Sequence, residues 1–274
     1  MFLSIKNRQI PSCVLRYNTT GEYNMEKKNI ETFIKKYNLN GILEGVVWTV
    51  NSNNDLLVTA MTSDKKLYAS IQYDKAAFFS GVDIAVLDTT KLKKMLAPLS
   101  DNISLSLDMD ATDKDRVRQI IAEDGKIIVN YVTGGVDGVD GIPSMKNVPP
   151  FTVEINLTPE FIDTFSTSFS GVDDKDALFT LIMSKRKQKL EMVLGYKQKN
   201  LSDRIALEVS AVTGKDTVSK PISFNAKHLK EILTANSEVS NPVLNVSELG
   251  LAGISFSSGD FKSKYYLVET EVED

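Results

Sequence analysis

Two residue types that carry much of protein chemistry are nearly missing. The 274-residue chain has one cysteine, Cys13, and one histidine, His228. A single thiol cannot form an internal disulfide, and zinc sites built on cysteine clusters are excluded, so a reducing compartment is the expected setting. A Ser–His–Asp site or a His-rich metal centre would have to be built around His228 alone. Long apolar runs are missing too. None approaches the ~20 residues of a membrane-spanning helix, and the longest mostly apolar run, Ala177 to Met183, carries Thr180. The opening MFLSIKNRQIPS lacks a basic segment followed by a long apolar one, so no signal peptide is read there, and the Asn-x-Ser/Thr triplets at Asn18, Asn102, Asn156, Asn200 and Asn245 are read as chance. No membrane partner, cofactor or metal is expected. A large excess of either charge is absent as well: 32 basic against 36 acidic residues give a net charge of −4. That argues against a protein that coats nucleic acid with its whole surface, though not against a local basic face.

Apolar residues make up 42% and charged residues 25%, enough for substantial cores, and the length predicts two domains. In Glu26–Asn38, Ile30, Phe33, Ile34 and Tyr37 recur at i, i+3, i+4, i+7, one face of a helix. Strand-like runs follow at 45–50, 55–62 and 66–73, separated by NSNND and SDK turns. VDIAVLD (82–88) reads as a buried strand. Asp88 or Thr89 then caps a helix with Leu92, Met95, Leu96 and Leu99 inward. Strands are predicted at 103–109, 117–123 and 126–132. Residues 133–150 hold Gly and Pro without periodicity and read as an interdomain connector. The second half repeats this grammar. A strand at 151–157 precedes a helix capped by Thr158, with Pro159 first and Phe161, Ile162, Phe165 and Phe169 as its stripe. Strands at 177–184, 189–196 and 204–212 precede a helix over 225–236 with Leu229, Ile232 and Leu233 inward, and three further strands close the chain. The reading is an α+β protein with an N-terminal extension (1–20), two domains (21–134 and 151–274) and a connector (135–150), each domain having two helices backed by antiparallel sheets.

No motif calls for catalysis. GGVDGVDG (134–141) follows a strand but opens no helix and lacks GK[ST], so it reads as a linker. DMDATDKDRVRQ (108–119) has Asp113 where an EF-hand needs Gly and Gln119 where it needs Glu, so it reads as an acidic turn. His228 reads as a partly exposed helical residue, and Trp48 as core. The lysines are more informative. Segment 24–38 has a net charge of +2 with Lys27, Lys28, Lys35 and Lys36. Segment 89–99 has +3 with Lys91, Lys93 and Lys94. Segment 225–236 has +1 with Lys227 and Lys230, whereas 158–169 has −2. Positive charge on three of four helices, with negative charge elsewhere, suits a cleft or ring that attracts a polyanion and repels it outside.

Three passages resemble DNA sliding clamps, the processivity factors of replicative polymerases. NIETFIKKYNLNGILEG with VVWTVNSNNDLLVTAMTSDKKLYASI, and VDIAVLDTTKLKKMLAPLSDNISLSL, are similar to the clamps of T-even-type bacteriophages. SKYYLVETEVED resembles the ending of PCNA. The resemblance implies head-to-tail homotrimers of six domains, with helices lining a hole and sheets outside. It implies sequence-independent binding of double-stranded DNA by the nine lysines named above, opening by a clamp-loader ATPase, and docking of the replicative DNA polymerase by a short peptide. By position that peptide's pocket would draw on Met61, Leu67, Ile142, Val148, Tyr266 and Val268. The implied place of work is the cytoplasm of a bacterial host, with no covalent chemistry. The alternative reading is a non-enzymatic β-rich phage structural protein of a tail or baseplate.

Overall fold

A computed structural model describes residues 19–51, 53–74, 81–113, 115–139, 145, 147–172, 177–184, 189–197, 203–209, 211–214 and 218–272. Within them one motif, strand–helix–three strands, occurs four times. The first unit is β1 (Thr19–Glu26), α1 (Lys27–Asn38), β2 (Val46–Val50), β3 (Leu56–Met61) and β4 (Leu67–Tyr73). The second is β5 (Asp83–Val86), α2 (Thr89–Leu96), β6 (Asn102–Met109), β7 (Val117–Glu123) and β8 (Ile128–Val132). The third is β9 (Val153–Asn156), α3 (Pro159–Gly171), β10 (Leu178–Met183), β11 (Leu190–Leu194) and β12 (Ile205–Glu208), with an added β13 (Ala211–Gly214). The fourth is β14 (Ile222–Asn225), α4 (Ala226–Ala235), β15 (Val243–Ser247), β16 (Leu251–Ser258) and β17 (Phe261–Val268).

The units exchange their first strands. β1 lies beside β6 in the sheet β1-β6-β7-β8, and β5 lies beside β2. In the other half β14 joins β12-β11-β10-β14, and β9 joins β15. The two halves meet where β17 pairs antiparallel with β4, from Phe261↔Tyr73 to Leu267↔Leu67. This makes one nine-stranded sheet, β13-β9-β15-β16-β17-β4-β3-β2-β5. The strands that correspond to β17 and β4 in the other units, β8 and β12, each end a sheet, with one side unpaired among the described residues.

The helices form because apolar stripes meet the sheets. Ile30, Phe33, Ile34 and Tyr37 of α1 are buried. Phe33, Tyr37 and Trp48 pack edge to face at centroid distances of 5.5, 5.8 and 6.5 Å, and each such buried side chain contributes about 1.5–3 kcal/mol. The Trp48 indole donates to the Tyr37 hydroxyl at 3.2 Å, which satisfies the buried N–H. Asp88 caps α2 by accepting from the Lys91 N–H at 2.7 Å, and Thr158 caps α3 through the Phe161 N–H at 3.2 Å. Thr89 instead turns inward and donates to the Glu44 carbonyl at 2.6 Å. In α3 only Phe165 of the apolar stripe is fully buried; it stacks edge-on against Phe179 at 6.2 Å.

One strand escapes the sequence pattern, and one is split. β1 is an edge strand held by β6, and its TTGEYNME offers only Tyr23 and Met25 as apolar residues. The single strand expected over 204–212 is divided: β12 stays beside β11, while β13 belongs to the other sheet and pairs with β9. No described helix is long and apolar enough to cross a membrane.

Candidate functional site

Helix α2 packs on α1, α1 on α4, and α4 on α3, so the four helices form one row. Six of the nine sequence-selected lysines are exposed on it: Lys28 and Lys35 of α1, Lys91, Lys93 and Lys94 of α2, and Lys227 of α4. Exposed ammonium groups spaced along helices are point charges of the kind that can meet phosphates without reading bases. Glu160 and Asp163 of α3 are exposed as well, so that end of the row is acidic.

The other three lysines are committed to the protein itself. Lys36 is 1% exposed. Its ammonium donates to Asn236 Oδ1 at 2.8 Å and to Glu238, and lies 5.9 Å from the centre of the Phe261 ring. Asn236 in turn donates to the Tyr265 hydroxyl at 3.0 Å, which donates to the Lys36 carbonyl at 2.8 Å. The expectation that Lys36 faces DNA is therefore wrong. At the last turn of α1 it lies on the seam with α4 and not on the open face, and a buried ammonium needs partners within the protein. Lys27 reaches the carbonyls of Ala97, at 3.3 Å, and Leu99, where it neutralises the negative end of α2. Lys230 sits 5.0 Å from the Phe169 ring centre, a cation–π contact that ties α4 to α3.

A second candidate site lies on the face of the nine-stranded sheet away from the helices. Successive strand residues point to opposite faces, and this decides which residues contribute. Leu67, paired with Leu267 and fully buried, points into the core. The adjacent Tyr68 points outward. Including Leu67 in a pocket is corrected on that ground, and Tyr68 takes its place. A row then runs across four strands: Met61 opposite Tyr68, Tyr68 opposite Tyr266, and Tyr266 opposite Gly253. The Tyr68 and Tyr266 rings are 6.0 Å apart. Phe151 lies over Gly253, where a Cβ would approach it to 2.8 Å and the Tyr266 ring to 3.1 Å; only glycine leaves room for both rings.

Tyr266 is itself only 4% exposed, with the Lys264 ammonium 5.2 Å from its ring centre. It forms the floor of the row. The half-buried Met61, Tyr68 and Val268 are the accessible part. Val268 shares the outward face with Tyr266, two residues before it. The turn carrying Leu249, 77% exposed, abuts the Val268 end, since the Gly250 carbonyl accepts from the Glu269 N–H at 2.8 Å. Val148 is exposed in the connector that leads into Phe151. Ile142, like Cys13, lies outside the described residues. Tyr68, Leu249 and Phe151 went unnoticed in the sequence. The alternation in KLYASIQY could have found Tyr68, but nothing local marks Leu249 or Phe151.

His228, expected to be partly exposed, is 8% exposed. Its backbone N–H donates to Asn225 Oδ1 at 3.0 Å, the N-cap bond of α4, and its ring Nδ1 is buried without a hydrogen-bond partner. Burial holds its pKa below the ordinary histidine value despite the opposing charge of Asp64. Trp48 is core, as expected. No cluster of three or more metal-ligating side chains exists among the described residues.

No protein-family model and no curated protein matches the chain. Solved structures do. The chain is similar to proliferating cellular nuclear antigen (PCNA) from Entamoeba histolytica at 18% identity and a TM-score of 0.66, over 92% of this chain and 99% of that one. A PCNA2–PCNA3 complex from Sulfolobus tokodaii matches at 12% identity and 0.61, over 91% and 99%. A PCNA from A. fulgidus with the C-terminal region of FEN-1 bound matches at 11% identity and 0.64, over 92% and 99%. Nearly the whole of each neighbour is thus matched by nearly the whole of this chain, and the chain has the α+β fold of a PCNA-type sliding-clamp protomer.

Proposed function

We propose that the protein is a subunit of a DNA sliding clamp that encircles duplex DNA and tethers the replicative DNA polymerase. The observation that carries this reading is the fourfold strand–helix–three-strand repeat with one junction made and one left open. β17 joins β4 within the chain, while β8 and β12 offer the same two positions unpaired. Pairing β8 of one copy with β12 of the next repeats the internal junction, satisfies two exposed edges, and closes a ring if the rotation closes. Three copies of two domains make the six-domain ring. The matches to PCNA structures, one a complex of two PCNA subunits and one with a FEN-1 segment bound, support assembly with clamp subunits and docking of partner proteins.

In this reading the helix row faces the hole, and Lys28, Lys35, Lys91, Lys93, Lys94 and Lys227 hold phosphates through weak, salt-screened contacts. Retention comes from topology, and a clamp-loader ATPase opens the ring to admit DNA. The polymerase docks a short peptide across the row from Met61 to Val268, with Tyr68 and Tyr266 as the aromatic platform. The clamp performs no covalent chemistry. The passages that resemble T-even-type phage clamps favour a viral replication protein working in the cytoplasm of a bacterial host.

The test loads the protein on nicked circular DNA and then linearises the DNA. A clamp is retained on the circle and slides from the linear ends. Equal retention on both forms would overturn the reading, as would a single-chain mass of about 30.4 kDa at all concentrations.

A further inference from the structure

We propose that the boundary between copies is closed electrostatically, by a basic groove beside β12 that receives an acidic cluster at the end of β8 of the next copy. This rests on the ring reading and adds what holds the ring shut in this protein.

The groove is a cavity of about 570 Å³ on the sheet that ends in β12. Its floor is apolar, with Ile182, Val193, Ala206 and Val218. Lys197, Arg204 and Lys220 stand on it against one acid, Glu191. Lys220 is already paired with Glu269 at 3.2 Å. Lys197 and Arg204 are exposed, and Arg204 immediately precedes β12. The second cavity, about 510 Å³, lies where the chain leaves β8. Asp83, Asp113, Asp115 and Asp137 line it, with Arg116 as the single base. All four carboxylates are on exposed residues.

The internal junction says how the two cavities would meet. β17 and β4 run antiparallel, so the segment leaving β17 lies beside the segment entering β4. There Lys66, just before β4, donates to the carbonyl of Glu269, just after β17, at 2.6 Å. The corresponding segments at the open junction are the one leaving β8, which carries Asp137 and abuts Asp113 and Asp115, and the one entering β12, which carries Arg204 with Lys197 nearby. Antiparallel pairing brings the same ends together; at the internal junction the ammonium meets a backbone carbonyl while Lys220 holds the Glu269 carboxylate, whereas the open junction would set Arg204 and Lys197 before β12 against Asp137, Asp113 and Asp115 beyond β8. The internal seam also has the buried Lys36–Asn236–Tyr265 network. Its counterpart between copies would lie between α2 and α3, where Lys91, Lys93 and Lys94 are exposed and α3 offers no base. The boundary between copies therefore depends more on exposed charge than the seam within a copy does. Exposed charge is the part of an interface that salt weakens.

The experiment follows the mass of the full chain by sedimentation across protein and salt concentrations. It compares the parent, Lys197→Glu with Arg204→Glu, Asp113→Lys with Asp115→Lys, and the chain carrying all four changes. Each double reversal is expected to raise the concentration for half-assembly about tenfold or more, since juxtaposed like charges oppose association. The fourfold change should recover assembly, because every boundary is again complementary. The parent should dissociate as salt rises. If the parent assembles and neither double reversal moves its midpoint, the electrostatic closure is overturned and the ring stands. If the parent never exceeds one chain, both fail. Loss of assembly in the fourfold variant as well would also overturn the pairing, since charge placement would then not be what the reversals disturbed.

Discussion

Lys36 and Asn236 stand 200 residues apart in the sequence and meet at 2.8 Å in the interior. Their bond joins the last turn of α1 to the cap of α4, and so joins the two halves of the chain beside the β17–β4 ladder. Partial burial of Glu238 works against its charge, but the bond from Lys36 and the nearby lysines prevail and hold its carboxyl below the usual range. The halves are thus fixed to each other by hydrogen bonds as well as by apolar packing.

Lys36→Met should destabilise the fold by about 1–3 kcal/mol, because the buried Asn236 oxygen loses its donor. Lys35→Met, one residue away and exposed, should stay within about 0.5 kcal/mol of the parent. Urea denaturation measures both. Equal shifts would mean that the seam does not depend on this bond.

Tyr68→Ala should fold normally and bind a polymerase C-terminal peptide about tenfold or more weakly, as loss of an aromatic anchor does. Leu67→Ala should instead cost about 2–5 kcal/mol of stability, since Leu67 faces the core. Calorimetric titration alongside thermal unfolding separates the two effects. A Tyr68→Ala protein that binds like the parent would move the peptide site elsewhere.

Charge reversal of Lys91 and Lys94 together should slow loading on circular DNA and shorten polymerase runs, with no change in sequence preference. Lys27→Glu should act on stability, since its amine sits on the carbonyl end of α2. Primer-extension lengths and melting curves distinguish these outcomes; loading at the parental rate after the double reversal would remove α2 from the DNA face.

Acid should weaken the fold before the carboxylates titrate. The unfolded chain protonates His228 near pH 6.5, whereas the folded one resists until lower pH because the ring is buried. The unfolded state therefore binds more protons as pH falls below about 6.5, and stability drops with it. Above that value the contribution is constant. His228→Gln should flatten the stability profile as pH falls below about 6.5, while an unchanged slope there would assign the acid sensitivity to other groups.

Periodicity alone placed the four helices, because each buries one stripe against a sheet and the stripe recurs every 3.6 residues: Ile30, Phe33, Ile34 and Tyr37 show it in full. Caps at Asp88 and Thr158 were legible for the same local reason. The absence of cysteine and histidine clusters, and the lysines' concentration on three helices, were fixed by composition. Which lysines remain free was not. Lys35 and Lys36 are neighbours in the chain with the same chemistry, yet one meets solvent and the other a second helix 200 residues away. Likewise Leu67 and Tyr68 differ only by the pleat that turns one inward and the other onto the Tyr266 ring. The exchange of β1 and β5 between units, and the open edges of β8 and β12, came from long-range strand pairing. A strand's own residues specify that it pairs and which face it buries; the partner is chosen by everything else that must be buried at once.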